Sequence, residues 1–387
     1  MNLLDAVIGV LLVTAAVGGY RLGFVARAVS WVLTALGLYL AARALPSVVD
    51  RTDDPTGRNQ LLLVAAAMLV AGAFLGQVVG LMVGSRLTLA IKTPKARRAD
   101  AVAGAAAGIV GVMVAVWLLV PAMAVVPGAA ARLASSSRFA RTLDHAFPDA
   151  PDTTRSLRDL LGDDYPQVFD RIRPAPDLGA PPPESRLDSD TAERIEASTV
   201  KVIGEACGRI QEGSGVVVGD DLVVTNAHVV AGEEKTTLER SDGRTVEARL
   251  VAFDPDRDLA VLSVPGIDRP PLPLGEPRVG SRGAVFGHPG GGPLELSPFQ
   301  IGRIEPVTGT DIYDRQRSQR DVLFLAASLR PGDSGGALVT PAGEVVGLAF
   351  AIAPDRDGVA YALDVTEIRA VLNDVQTGGV GAGPCTN

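Results

Sequence analysis

Between residues 330 and 338 the chain reads Arg330-Pro331-Gly332-Asp333-Ser334-Gly335-Gly336-Ala337-Leu338. One serine is enclosed by glycines on a tight turn, and an apolar run follows. Glycine lets a chain turn so that successive backbone N–H groups converge on one spot. Outward from this stretch lie short apolar runs at residues 214–218, 222–225, 245–253, 259–264, 283–287, 322–327, 336–340 and 345–351. Gly, Pro and Asp separate them. Many short strands with turn signals every 8–12 residues predict a β-sandwich or barrel. Residues 364–373 predict a closing helix with Asp364 as N-cap.

Two other stretches in this half carry chemistry. Val223-Val224-Thr225-Asn226-Ala227-His228-Val229-Val230 sets a histidine just after an apolar strand. Asp254-Pro255-Asp256-Arg257-Asp258-Leu259-Ala260-Val261-Leu262 sets a carboxylate at the opening of another. Each alone reads as an ordinary turn or structural residue. Together they stand in the order His, Asp, Ser, that of the chymotrypsin-type triad. Ser334 is the candidate nucleophile, His228 the base and Asp258 its orienting partner. The N–H groups of Gly332 and Ser334 are the candidate oxyanion donors. Asp254 and Asp256 are alternative orienters, but only Asp258 directly precedes Leu-Ala-Val-Leu. His288 reads as structural, His145 as structural or surface, and Asp333 as support for the turn.

These three motifs resemble the trypsin-like core of the HtrA-type serine proteases over residues 192–375. The resemblance implies an all-β chymotrypsin-like double barrel and peptide-bond hydrolysis. It also places Ser328 near the floor of the pocket for the side chain before the cut bond. The run Ala349-Phe350-Ala351 is expected to pair with substrate backbone. No Asp stands where a preference for basic side chains needs one, so the expected preference is uncharged, small or moderately apolar.

The first third of the chain is of a different kind. The sequence has 387 residues, 47% of them hydrophobic. That total is ordinary for a soluble protein; its distribution is not. Apolar stretches cover residues 3–20, 28–49, 60–84 and 101–126. A spanning helix needs roughly 20 apolar residues, so four transmembrane helices are expected. A cleaved signal peptide is disfavoured for the first, because no Lys or Arg precedes it. Arg21 and Arg27 after the first span, and Arg86, Lys92, Lys95, Arg97 and Arg98 after the third, mark cytoplasmic loops. Both termini then lie outside. Gly72, Gly76, Gly80 and Gly84, with Gly104 and Gly108, fall at intervals of four along helix faces. They predict close packing between helices of one molecule rather than a dimer seam. The spans resemble the CvpA (colicin V production) family of membrane domains over residues 1–130.

Residues 132–195 carry many charges and prolines, with a spacer at 174–184. Helices are expected at 139–146 and 157–171. The domains read as 1–131 transmembrane, 132–191 linker and 192–387 protease. Arg132, Arg138, Arg141 and Arg155 offer sites for self-cleavage in the linker. Cys207 and Cys385 form either a disulfide in an oxidising compartment or two separate buried thiols. The net charge of −8 argues against nucleic acid as a partner. No metal or other cofactor is expected.

Taken whole, the chain resembles the actinobacterial membrane-anchored acid-resistance serine proteases (MarP type), cysteine pair included. That resemblance implies a periplasmic endopeptidase that protects the cell at low external pH; the expected partners are protein or peptide substrates in the cell envelope and membrane lipid, with a monomeric protease domain. A catalytically quiet peptide sensor signalling through the helices is the competing reading. A transporter with a protease-like cap is disfavoured by the lack of charges near the centre of any span.

Overall fold

The computed structural model describes residues 2–49, 58–147, 168–169, 171–206 and 208–386. The chain forms two compact units, Met1–Leu119 and Val120–Asn387.

Four long helices build the first unit: α1 (Leu3–Leu22), α2 (Phe24–Val49), α3 (Arg58–Thr88) and α4 (Pro94–Val125), which runs into the second. All four are long and apolar enough to cross a membrane. Between lipid-facing helices the hydrophobic effect gives no net drive, so close backbone contact supplies the attraction. The glycine series on α3 does this against α2. A Cβ on Gly84 would lie 2.6 Å from Ala26 Cα, and one on Gly76 would lie 2.8 Å from Thr34 Cα. A hydrogen bond of 2.7 Å joins Thr34 Oγ1 to Gln77 Oε1 in the same seam. Gly104 and Gly108 bring α4 against the first helix pair, within 2.8 Å of Phe24 N and Ala15 C by the same test. These glycines serve packing within one molecule, as their spacing predicts.

The second unit opens with α5 (Ala129–Ser136) and α6 (Arg138–Ala146), and α7 (Ser189–Ser198) leads into the first strand. The sequence reading anticipated α6 but not α5 or α7. The helix expected at 157–171 falls almost wholly outside the described residues. Two six-stranded closed barrels follow. The first holds β1 (Thr199–Ala206), β2 (Arg209–Gly219), β3 (Leu222–Thr225), β4 (Thr236–Arg240), β5 (Thr245–Asp254) and β6 (Leu259–Ser263). A single helical turn, α8 (Ala227–Val230), follows β3. The second barrel holds β7 (Arg282–Gly287), β8 (Glu295–Thr310), β9 (Arg317–Ala327), β10 (Ala337–Val339), β11 (Val345–Ile352) and β12 (Val359–Asp364). Helix α9 (Val365–Asn373) follows β12, with Asp364 accepting from the Thr366 N–H at 2.9 Å as its N-cap.

Alternation along the strands sorts the core. Val217, Val223, Ala260 and Leu262 point into the first barrel. Their chain neighbours Val216, Val224, Leu259 and Val261 join Phe286, Phe324, Phe350 and Tyr361 of the second barrel in a separate apolar cluster. Successive side chains of a strand point to opposite faces, so each of these strands fills its own barrel with one face and binds the other barrel with the second. Burying each large side chain contributes about 1.5–3 kcal/mol. The two barrels are thereby held as one body, which any site assembled from both requires.

Candidate active site

The first barrel supplies an imidazole and a carboxylate. Strands β3 and β6 pair with Thr225 opposite Ala260. The chain leaving β3 therefore passes beside the chain entering β6. Asn226 is fully buried, and α8 then presents His228. Asp258 is fully buried in left-handed backbone, φ 59°. Its Oδ1 accepts the His228 backbone N–H at 2.9 Å. The ring Nδ1 of His228 lies 2.8 Å from Oδ2 and 3.0 Å from Oδ1. An ionised carboxylate only accepts, so Nδ1 carries the ring proton and Nε2 keeps its lone pair. The Asn226 amide donates to the Asp258 carbonyl at 2.9 Å. The alternative carboxylates are engaged elsewhere: Asp254 with Arg257, and Asp256 with Gln316 at 2.8 Å.

The second barrel supplies the hydroxyl loop ahead of β10. Its first turn is closed by Asp333 N–H donating to the Arg330 carbonyl at 3.1 Å. The Arg330 N–H donates in return to Asp333 Oδ2 at 2.8 Å. Burial pushes the Asp333 carboxyl up to about 6. The Pro331 carbonyl accepts from Gly290 N–H at 2.6 Å, and the Asp333 carbonyl accepts from Gly336 N–H at 2.8 Å. A trans peptide points its N–H opposite to its C=O. The N–H groups of Gly332 and Ser334 therefore face away from those partners. Among the described residues neither finds a backbone acceptor. Two donors on alternate residues left open beside a serine hydroxyl form an anion-binding concavity. Gly332 has φ 94°, and a Cβ there would sit 2.7 Å from Gly290 N, so only glycine fits the turn.

Ser214 on β2 joins the two halves, and sequence reasoning missed it. Its backbone N–H donates to the Ser334 carbonyl at 2.8 Å. Its hydroxyl donates to the Gly332 carbonyl at 2.8 Å and accepts the His288 N–H at 2.8 Å. Its own carbonyl accepts the Thr225 hydroxyl at 2.7 Å. Beside it, a Cβ on Gly213 would lie 2.6 Å from Val229 Cγ1 and 3.3 Å from the Ser334 carbonyl. The helical turn of His228 and the loop of Ser334 thus meet across one glycine. The signal was the run Gly213-Ser214-Gly215, small residues inside a strand where backbones approach closely. His288 supports the same loop: its Nδ1 lies 3.0 Å from the Gly292 carbonyl, and burial holds its imidazole below the usual value.

The remaining predicted residues fall as follows. Ser328 is exposed just after β9. Ala349, Phe350 and Ala351 are buried on β11. Ala349 uses both backbone groups on the serine loop, its N–H to Gly336 and its carbonyl to Gly335, each at 2.9 Å. Beyond Leu348 no β10 partner pairs with β11, so, among the described residues, 350–352 present an open strand edge. Ile352 belongs to that edge, which the sequence reading stopped one residue short of. The Cys385 side chain lies against Gly232, where a Cβ would meet Sγ at 3.0 Å. Cys207 lies outside the described residues.

Comparison with known proteins agrees with this architecture. Residues 213–348 match the trypsin-like peptidase domain family, and residues 4–148 match the Colicin V production protein family. The serine protease Rv3671c of Mycobacterium tuberculosis is 31% identical over 384 residues, 96% of either chain. The putative serine protease HhoA of Synechocystis is 32% identical over 45% of either chain. The crystal structure of the Rv3671c protease in its active form superposes with a TM-score of 0.53 at 33% identity. It covers 57% of this chain and all of that one. With a Colicin V production-like helical domain before a trypsin-like peptidase domain, this chain belongs to the family of the serine protease Rv3671c.

Proposed function

We propose that His228, Asp258 and Ser334 form the catalytic triad of an endopeptidase acting on proteins of the cell envelope. The observation that carries this reading is the Asp258–His228 pair, 2.8 Å apart, with Ser214 tying the Ser334 loop to the same barrel. His228 Nε2 takes the Ser334 proton as the hydroxyl attacks the scissile carbonyl. The negative charge formed on that carbonyl oxygen falls to the open N–H groups of Gly332 and Ser334. His228 then delivers the proton to the leaving amine. Asp258 fixes the ring tautomer and offsets the charge of the imidazolium. Water repeats the sequence on the acyl-enzyme and frees Ser334. Substrate backbone adds to the open edge of β11 at residues 350–352, as an extended peptide joins a sheet edge. Ser328 lies at the pocket for the side chain before the cut bond, and uncharged side chains are preferred there.

The basic loops after α1 and α3 favour a cytoplasmic position for those loops. The protease and both termini then lie on the extracytoplasmic, periplasmic side. An oxidising compartment there permits a Cys207–Cys385 bridge. A protective role under acid or envelope stress is part of this proposal, supported by the resemblance to the MarP-type proteases alone. The test compares envelope proteins by mass spectrometry between cells carrying the parent protein and Ser334→Ala, at neutral and acid pH. Substrates that accumulate only in the variant are expected, with cleavage after uncharged side chains. Identical envelope protein profiles would contradict the proposal, and cuts chiefly after Lys or Arg would contradict the pocket assignment.

A further inference from the structure

Strand β9 pairs with β12 only from Val322 to Ala326. Residues 317–321 pair with β8 alone, so the β8–β9 hairpin continues past β12 as a two-stranded arm. An isolated two-stranded arm is at best marginally stable in water. This one is braced against the other barrel, at the loop between β5 and β6 that ends in Asp258. Ile312 N–H donates to the Pro255 carbonyl at 3.2 Å. The Gln316 amide donates to Asp256 Oδ1 at 2.8 Å. The Asp256 carbonyl takes two donors, the Ser318 hydroxyl and Arg320 Nε, the latter at 2.6 Å. Arg320 also donates from Nη2 to the Thr310 carbonyl across its own hairpin.

Arg320 is only 3% exposed. A buried guanidinium costs much desolvation unless its donors are used. Here two of them hold two carbonyls in fixed directions, one in each barrel, which its planar fork suits and a lysine does not. The carboxylates facing it are Asp258, Glu367, Asp254 and Asp256. Asp258 itself sits at φ 59°, left-handed backbone that persists where neighbours enforce it. From inside the first barrel the Asn226 amide and the His228 N–H enforce it. From outside, the restraint two residues away comes from the arm.

We propose that Arg320 is a positioning residue for the triad carboxylate: by holding the Asp256 carbonyl from the second barrel, it fixes the 254–258 loop where Asp258 aims at His228. This deepens the triad reading and rests on it. Arg320 touches no substrate and acts through the loop alone.

Steady-state kinetics on a peptide substrate test this with the full-length, detergent-solubilised protein. Arg320→Met, Arg320→Lys, the pair Gln316→Ala with Ser318→Ala, and Asp258→Asn are compared, each with its thermal midpoint. An orienting group displaced by about 1 Å costs about 10²-fold. Arg320→Met is expected to lose about that much in kcat with KM within threefold. Arg320→Lys and the Gln316/Ser318 pair should each lose about tenfold, again in kcat. If Arg320→Met does not fold, the other two variants decide. Parent-like kcat in both, while Asp258→Asn is inactive, would overturn the positioning role alone. So would a loss carried by KM as much as by kcat, which marks general loosening. Parent-like turnover by Asp258→Asn would overturn the triad, and the positioning role with it.

Discussion

The two barrels share one topology and prepare opposite things. In the first, the groups that hold the imidazole are engaged, although Asn226 Oδ1 and Gln211 Oε1 nearby find no partner among the described residues. Asp258 accepts from the His228 ring and backbone, and its own carbonyl takes the Asn226 amide. In the second, carbonyls of the serine loop are occupied while two of its N–H groups find no backbone acceptor among the described residues. The Pro331, Gly332 and Asp333 carbonyls are bound by Gly290, Ser214 and Gly336. As the proposed base, His228 must be held in one tautomer, and the carboxylate at its Nδ1 does that. An oxyanion site must meet a charge that exists only during reaction, so its donors are fixed in advance and have no partner at rest. In the proposed mechanism the first barrel's pair is set at rest, and the second barrel's loop is completed by its substrate.

Substitutions that break this division should fall in a definite order. Removing the proposed nucleophile, Ser334→Ala, leaves the backbone bonds of both barrels intact and is expected to abolish turnover, by about 10⁶-fold in kcat. Peptide hydrolysis with a thermal midpoint measured alongside checks it; the midpoint should stay within a few degrees. Asp258→Asn attacks the first barrel's pair. It reverses the tautomer preference of His228 and should cost about 10⁴-fold in kcat. Gly332→Ala attacks the open side. The added methyl cannot fit beside Gly290 at φ 94°, the turn rotates, and one donor is lost, for about 10²–10³-fold in kcat. Crystal structures or amide exchange of the 288–292 loop should show the displacement.

The smallest effect is one of pH, and each barrel contributes one carboxyl. Burial pushes Glu233, in the first, up to about 7, and Asp333, in the second, up to about 6. Both folded values exceed those of the unfolded chain, so the folded state binds these protons more tightly. Stability therefore rises as pH falls from above 7 toward 5.5 and is lost again as pH rises. His288 opposes this below about 6.5, because burial lowers its value. A net gain on the order of 1–3 kcal/mol is expected between pH 8 and 5.5. Thermal unfolding across that range measures it, and Glu233→Gln with Asp333→Asn should flatten the dependence.

How much was legible in the sequence follows the same division. The three chemical residues stood out because each needs a particular local setting: after a strand, before a strand, between glycines. Apolar length alone marked the four long helices, though α3 and α4 extend past their apolar runs to Arg58 and Pro94. The glycine series showed a packing face, but not that α2 fills it. Strands β1, β4, β8 and β12 were missed. Polar and charged residues run through β4 and β8, and their strand form rests on neighbours far away in sequence. β12 is buried on both faces and shows no alternation. Arg320 was invisible for a related reason, and Ser214 showed only as a small residue between glycines, without its role. Each acts by reaching from one barrel to the other, and no local pattern records a contact made at such distance along the chain.

The account turns on Ser334 being a hydroxyl made nucleophilic by the opposite barrel. A fluorophosphonate probe reports that directly, since it reacts only where a base and an oxyanion site act together. Applied to the full-length protein and analysed by peptide mass spectrometry, it should form one adduct, on Ser334, and form it far more slowly in Asp258→Asn and Gly332→Ala. An unmodified Ser334 in folded parent protein, or equal labelling in all three, would contradict the account.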